Sequence, residues 1–162
     1  MQRLKQVFES LGFANVETFI ASGNVIFESR GKSAAALEAK IEAMLQAELG
    51  YEVKTFIRSD TEVGAVAACV PFESATDPDG ATLYIGFLKT APNAATQERI
   101  AAAQTTIDDF RIIGRELYWR CRVASSESTF SGAKLEKTLG MPTTLRNANT
   151  VRRLAAKYPP AN

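Results

Sequence analysis

The sequence contains no histidine. That absence removes the commonest general base, the commonest metal ligand and every Ser-His or Cys-His nucleophile pair. Cysteine is scarce as well. Cys69 and Cys121 lie far apart and form no CxxC unit, so there is no ligand set for zinc or an iron–sulfur cluster. Neither a metal nor a cofactor is expected, and both thiols read as small buried hydrophobes in the reduced state. No apolar run approaches the roughly 18 residues of a membrane span, and the charged start Met1-Gln2-Arg3-Leu4-Lys5-Gln6 lacks the apolar stretch of a signal peptide. No membrane partner is expected, and a cytoplasmic location follows by default.

What is present is an ordinary globular composition: 162 residues, 46% apolar and 23% charged. An apolar fraction of that size excludes disorder, and the length suits one domain or two small ones. The net charge of +1 hides an asymmetry. Residues 1–110 carry 9 basic and 15 acidic side chains, whereas residues 111–162 carry 10 and 3. Such an imbalance suggests an anionic partner for the basic part or attraction between the two parts. A solvated basic face is the plain alternative.

Apolar spacing places the elements. Leu4, Val7, Phe8 and Leu11 recur at i, i+3, i+4 and i+7, which predicts a helix ended by Gly12. Val16 to Ile20 and Val25 to Glu28 read as strands joined through Ala21-Ser22-Gly23-Asn24. Ser33 caps a second helix bearing Leu37, Ile41, Met44, Leu45 and Leu49, with Gly50 as its stop. Tyr51 to Ile57 alternates and reads as a half-exposed strand. Val63, Val66, Ala67 and Val70 mark a helical face ended by Pro71. Glu73 to Gly80, polar and containing Pro78-Asp79-Gly80, is the longest loop. Ala81 to Lys89 is a strand, Asn93 caps a helix to about Gln104, and Asp109 to Ile113 and Glu116 to Val123 pair about Gly114. A helix near Ser131, a short strand at Thr143 to Leu145 and a helix from about Asn149 to Pro159-Pro160 complete the chain. The order predicts an α+β fold with helices on one face of mainly antiparallel sheet. Two tandem units of β-α-β-β-α-β type fit it if one strand is missing from each, and Thr143 to Leu145 could supply the last strand of the second.

Three segments stand out chemically. Ser22, Gly23 and Asn24 put a hydroxyl and an amide beside a flexible backbone, able to present donors to an anion or a polar ligand; plain turn chemistry is the simpler reading of the residues alone. Ser131 and Lys134 sit at a helix start, where free N–H groups and an ammonium suit an anion, although Ser131 also serves as an ordinary N-cap. In Thr143 to Thr150, Arg146 can donate bidentately to a carboxylate or phosphate, with Asn147, Asn149 and Thr150 at a polar helix entrance. The plain reading pairs Arg146 with an acidic residue of the first half and makes Asn149 the N-cap. Phe19, Phe27, Tyr84, Tyr118 and Trp119 fall on strands, but the aromatic string of an RNA-recognition module is absent, so they are expected in the core. Asp108-Asp109 and Asp77-Pro78-Asp79 read as solvated turn chemistry.

Leu11-Gly12-Phe13 followed by Val16-Glu17-Thr18-Phe19-Ile20-Ala21-Ser22-Gly23-Asn24-Val25-Ile26-Phe27 resembles the central signature of the bacterial domain-of-unknown-function 1697 family. Pro71-Phe72, the strand at Leu83 to Leu88, and the ending Thr144 to Val151 recur in the same order there, so the resemblance spans essentially the whole chain. It implies two tandem ferredoxin-like (α-β plait) subdomains, here 1–58 and 59–162 with a C-terminal helix, and no established activity. Members similar to this chain open with a further strand and a glycine-containing segment before the first helix. The first subdomain is therefore expected to miss its opening strand, through a misplaced start, a shortened chain, or re-pairing of the remaining strands. Exposed strand edges would then permit a homodimer.

These readings lead to an uncharacterised cytoplasmic protein that binds a small anionic or nucleotide-like ligand between the two subdomains, through Ser22, Gly23, Asn24, Ser131, Lys134, Arg146, Asn147, Asn149 and Thr150. The alternative is nucleic-acid binding through the basic C-terminal half. An enzyme would need Lys134, Ser131 or Ser22 as base or nucleophile, and ranks below both.

Overall fold

A computed structural model describes residues 2–19, 23–29, 33–72, 81–122 and 130–160. It is a mixed α+β structure whose described residues form six helices and two antiparallel sheets. Contacts divide it into two compact units, Met1–Ile57 and Arg58–Asn162.

The first unit holds α1 (Gln2–Ser10), β1 (Ala14–Phe19), β2 (Asn24–Glu28) and α2 (Ala34–Leu49). The apolar stripe of α1 brings Val7 and Phe8 onto Phe13, Val16, Ile41 and Leu45, and Phe13 stacks on Phe27 at 4.4 Å between ring centroids. Ser33 caps α2 by accepting from Ala36 N, and Gly50 ends it in the left-handed region at φ 81°.

The expected strand at Tyr51–Ile57 does not form. Val53 and Ile57 pack on the core as the alternation requires, but among the described residues this segment joins no ladder. Its N–H groups go instead to α2: Thr55 N donates to Glu42 Oε2 and Ile57 N to Glu38 Oε2, each at 2.8 Å. Alternation reports which side chains are buried, not what the backbone bonds to. Spaced at i and i+4 on one helix face, the two carboxylates take the place of a neighbouring strand. Glu38 is buried as a result.

The second unit contains α3 (Asp60–Ala68), β3 (Thr82–Leu88), α4 (Ala94–Ala102), β4 (Asp108–Ile113), β5 (Glu116–Cys121), α5 (Gly132–Leu139), β6 (Thr143–Asn147) and α6 (Ala148–Lys157). Its four strands are antiparallel in the order β4-β5-β3-β6. Strand alternation splits the sheet into two faces. On one, Leu88, Phe110, Leu117, Trp119 and Cys121 pack against Ile100 of α4 and Leu135 and Leu139 of α5. On the other, Ile85, Phe87 and Tyr118 are buried as well, α6 packs on β3 and β6, and α3 packs on α6. Helices therefore cover both faces in this unit, not one as expected, because the apolar residues of β3 and β5 occur at both parities.

Four local expectations change. Val70 lies beyond the end of α3 and is 81% exposed. Cys69, the C-cap of that helix, is only half-buried, unlike the fully buried Cys121. The last helix starts earlier than expected, with Asn147 rather than Asn149 as N-cap. Asp108 is fully buried, not a solvated turn residue. The strand aromatics do lie in or against the cores, whereas Asp77-Pro78-Asp79 and the 73–80 loop fall outside the described residues. No described helix is long and apolar enough to cross a membrane.

Candidate functional site

Arg146 lies on β6 opposite Ile85, so it projects from the face shared with Tyr118 and Arg111. Its guanidinium is half-buried, and burial holds its pKa below the ordinary value. Nη1 donates to Thr144 Oγ1 at 2.7 Å and to Leu145 O at 2.9 Å, both on its own strand. The next residue, Asn147, caps α6 by accepting from Asn149 N at 2.8 Å. The first turn of α6 has no acidic side chain, so its positive dipole end is not offset by a carboxylate there. Asn149 is exposed and accepts from Arg152 Nη1 at 3.0 Å, while Thr150 is half-buried in the same turn.

Ser131 and Lys134 belong to the other face of the sheet. Ser131 is the N-cap of α5, accepting from Lys134 N at 3.3 Å, and the Lys134 ammonium lies 4.7 Å from the Phe130 ring centroid. A Cβ built on Gly132 would touch Leu145, which has the opposite parity to Arg146. Arg146, Asn147, Asn149 and Thr150 thus follow one another at the β6–α6 junction, and the Ser131–Lys134 cap is turned to the other face from Arg146.

The hairpin motif belongs to the first unit. Gly23 has φ 82°, and Asn24 Nδ2 donates to Phe19 O at 3.2 Å, closing the β1–β2 turn. Ser22 lies outside the described residues. None of the described site residues predicted from the sequence lines the cleft of about 960 Å³ in this unit, where Lys40, Glu28 and Ser33 stand beside Phe13.

Several polar groups were not singled out from the sequence. Asp108 Oδ1 accepts from Trp119 Nε1 at 2.9 Å, and its Oδ2 from Thr105 Oγ1 at 2.9 Å. Arg58, with 4% of its side chain exposed, pairs with Glu116 at 2.8 Å and donates to Leu88 O and Arg115 O. Asp109 pairs with both Arg120 and Arg122. A signal for this last group exists in the sequence. The Gly114-Arg115 turn sets Ile113 opposite Glu116, and counting back places Asp109 opposite Arg120.

A family model described as a protein of unknown function (DUF1697) matches residues 1–118. The chain belongs to that family. The match stops within β5, so the 144–151 ending of this DUF1697 chain, with Arg146, lies outside it. The solved structure of a conserved bacterial protein from Streptococcus pneumoniae is similar, with a TM-score of 0.71 and 21% identity. The likeness covers 98% of this chain and 88% of that one, and at such identity it shows the fold alone. No functionally curated protein matches the chain.

Proposed function

We propose that this DUF1697 protein binds a small anionic ligand of the phosphate or carboxylate class, nucleotides included, with Arg146 as the anchoring cation. The observation that carries the reading is a half-buried, partly dehydrated guanidinium on the strand residue that precedes the N-cap of α6, a helix whose first turn holds no acidic side chain. A guanidinium presents a planar fork of donors, which matches the paired oxygens of phosphate or carboxylate. Helix N–H groups and the dipole add to the attraction.

The β-α-β-β-α-β order of β3 to β6 and the strand order β4-β5-β3-β6 support reading the second unit as a ferredoxin-like plait. The α-β-β-α order of the first unit supports a second plait in tandem. The free thiols of Cys69 and Cys121 fit a reducing, cytoplasmic setting.

Thermal-shift titration with inorganic phosphate, nucleoside monophosphates and dicarboxylates tests the binding. A ligand-dependent rise in Tm is expected in the native chain, a smaller rise in Arg146→Lys because the bidentate fork is lost, and none in Arg146→Ala. Lys134→Ala, on the opposite face, is expected to keep the shift. Retention of the full shift in Arg146→Ala overturns the reading.

A further inference from the structure

The second unit carries a cationic group that the Arg146 reading does not use. Asp109 and Arg111 on β4 and Arg120 on β5 share one face of the sheet. Arg122 continues that parity past the end of β5, where its N–H donates to Ile107 O at 2.8 Å. A single oxygen, Asp109 Oδ2, accepts from Arg120 Nε at 2.9 Å and from Arg122 Nε and Nη2 at 3.1 and 2.9 Å. Arg111 has no share of that carboxylate and donates to Pro71 O at 2.9 Å. Two guanidinium groups thus lean on one carboxylate while a third stands one pleat away.

The members of the group differ in exposure. Arg120 is 7% exposed, fixed by Asp109 on one side and by the Phe72 ring, whose centroid lies 4.7 Å from its guanidinium carbon, on the other. Arg111 is exposed on the edge strand β4, and Arg122 keeps 40% of its side chain in solvent. Like charges on a sheet surface repel one another, so the exposed Arg111 and Arg122 on this face favour an anionic partner. Arg111 and Arg122, on adjacent strands with the Asp109–Arg120 rung between their positions, suit separate phosphates of one chain. This strand pair is embedded in a four-stranded sheet backed by α4 and α5, so it does not enter a duplex groove as a free ribbon.

We propose that the β4–β5 edge of the second unit binds the phosphate backbone of single-stranded nucleic acid, with Arg111 and Arg122 as phosphate contacts and Arg120 as the positioning residue. Contacts of this kind carry no base selectivity and make affinity strongly dependent on salt.

Fluorescence anisotropy of the full chain with labelled oligothymidylate, and with a duplex of equal length, tests this between about 50 and 200 mM salt. Binding to the single strand is expected to weaken steeply with salt. Removing two phosphate contacts in Arg111→Ala/Arg122→Ala is expected to lower the magnitude of the log–log salt slope by about 1.4, and Arg111→Ala alone by about 0.7. Arg111→Ala gives up only the bond to Pro71 O, so it separates lost binding from lost folding if the double variant unfolds. Arg152→Ala/Arg153→Ala on α6 is expected to leave the slope unchanged. Absence of binding at the lowest salt, an unchanged slope in the β4–β5 variants, a slope lost through the α6 pair, or tighter binding of the duplex each overturns the proposal. It stands or falls apart from the Arg146 reading, whose test uses small anions and a different residue.

Discussion

At Asp108 a carboxylate without exposed surface accepts hydrogen bonds from the Trp119 indole and the Thr105 hydroxyl. Asp108→Ala leaves a buried indole N–H without its acceptor, a loss of about 1–3 kcal/mol. Urea denaturation is expected to show a destabilisation of that order, and a smaller one in Asp108→Asn, which keeps an acceptor oxygen. Tyr118, next to Trp119 on β5 and on the opposite face of the sheet, adds a pH dependence. Burial, together with a hydrogen bond to Cys69, raises its pKa above the ordinary 10.0. The unfolded chain ionises near pH 10 while the folded chain holds the proton. The stabilisation is therefore complete below that pH and is lost as pH rises, with a slope approaching about 1.4 kcal/mol per pH unit. Tyr118→Phe is expected to flatten the alkaline limb of the stability profile, read from denaturation midpoints on either side of pH 10.

Elements are held in register by close approaches as well as by ladders. Gly86, in the middle of β3, faces β5 on one side and β6 on the other. A Cβ there would come within 2.9 Å of Thr143 Oγ1 and 3.3 Å of Leu145 Cδ2. The Thr143 hydroxyl cannot retreat freely, since it donates to Phe87 O at 3.0 Å. Gly86→Ala is expected to destabilise the second unit by about 1–3 kcal/mol, the usual cost of overpacking. Thermal unfolding followed by circular dichroism measures it. At the start of α3, Ser59 and Glu62 form a reciprocal capping box, and the Glu62 carboxylate also meets Arg115 of the β4–β5 turn. A cap and a turn contact thus fix the element that leads into the sheet.

For the whole molecule, the two units differ in how much sheet each possesses. Residues 58–162 hold four paired strands with buried apolar residues on both faces. Among the described residues, 1–57 hold a two-stranded sheet and a core of Val7, Phe8, Phe13, Val16, Ile41 and Leu45. Two strands alone are marginal, and a chain of this length buries only about 60% of the surface its unfolded form exposes. A fragment of residues 58–162 is expected to unfold cooperatively by itself, while a fragment of residues 1–57 shows no cooperative transition. Circular dichroism melts of the two fragments decide the matter, and a sharp transition in the shorter one contradicts it.

Several helix starts and stops were legible in the sequence because a cap carries its own chemistry: Ser33, Asn93 and Ser131 as acceptors, Gly50 in the left-handed region. The β-hairpin about Gly114 and the apolar stripe of α1 were legible for the same reason, since turn chemistry and periodicity act over a few residues. Arg146 was legible as a candidate because an arginine between threonines and a polar helix entrance is chemically distinctive. Only the tertiary structure decided which face that arginine occupies and that Ser131 and Lys134 lie on the other. It also decided that Glu38 and Glu42 bond the backbone of 51–57, and that Asp108 serves a buried indole. Local sequence specifies periodicity and caps, whereas the partner of a buried polar group comes from a distant part of the chain and is chosen by packing.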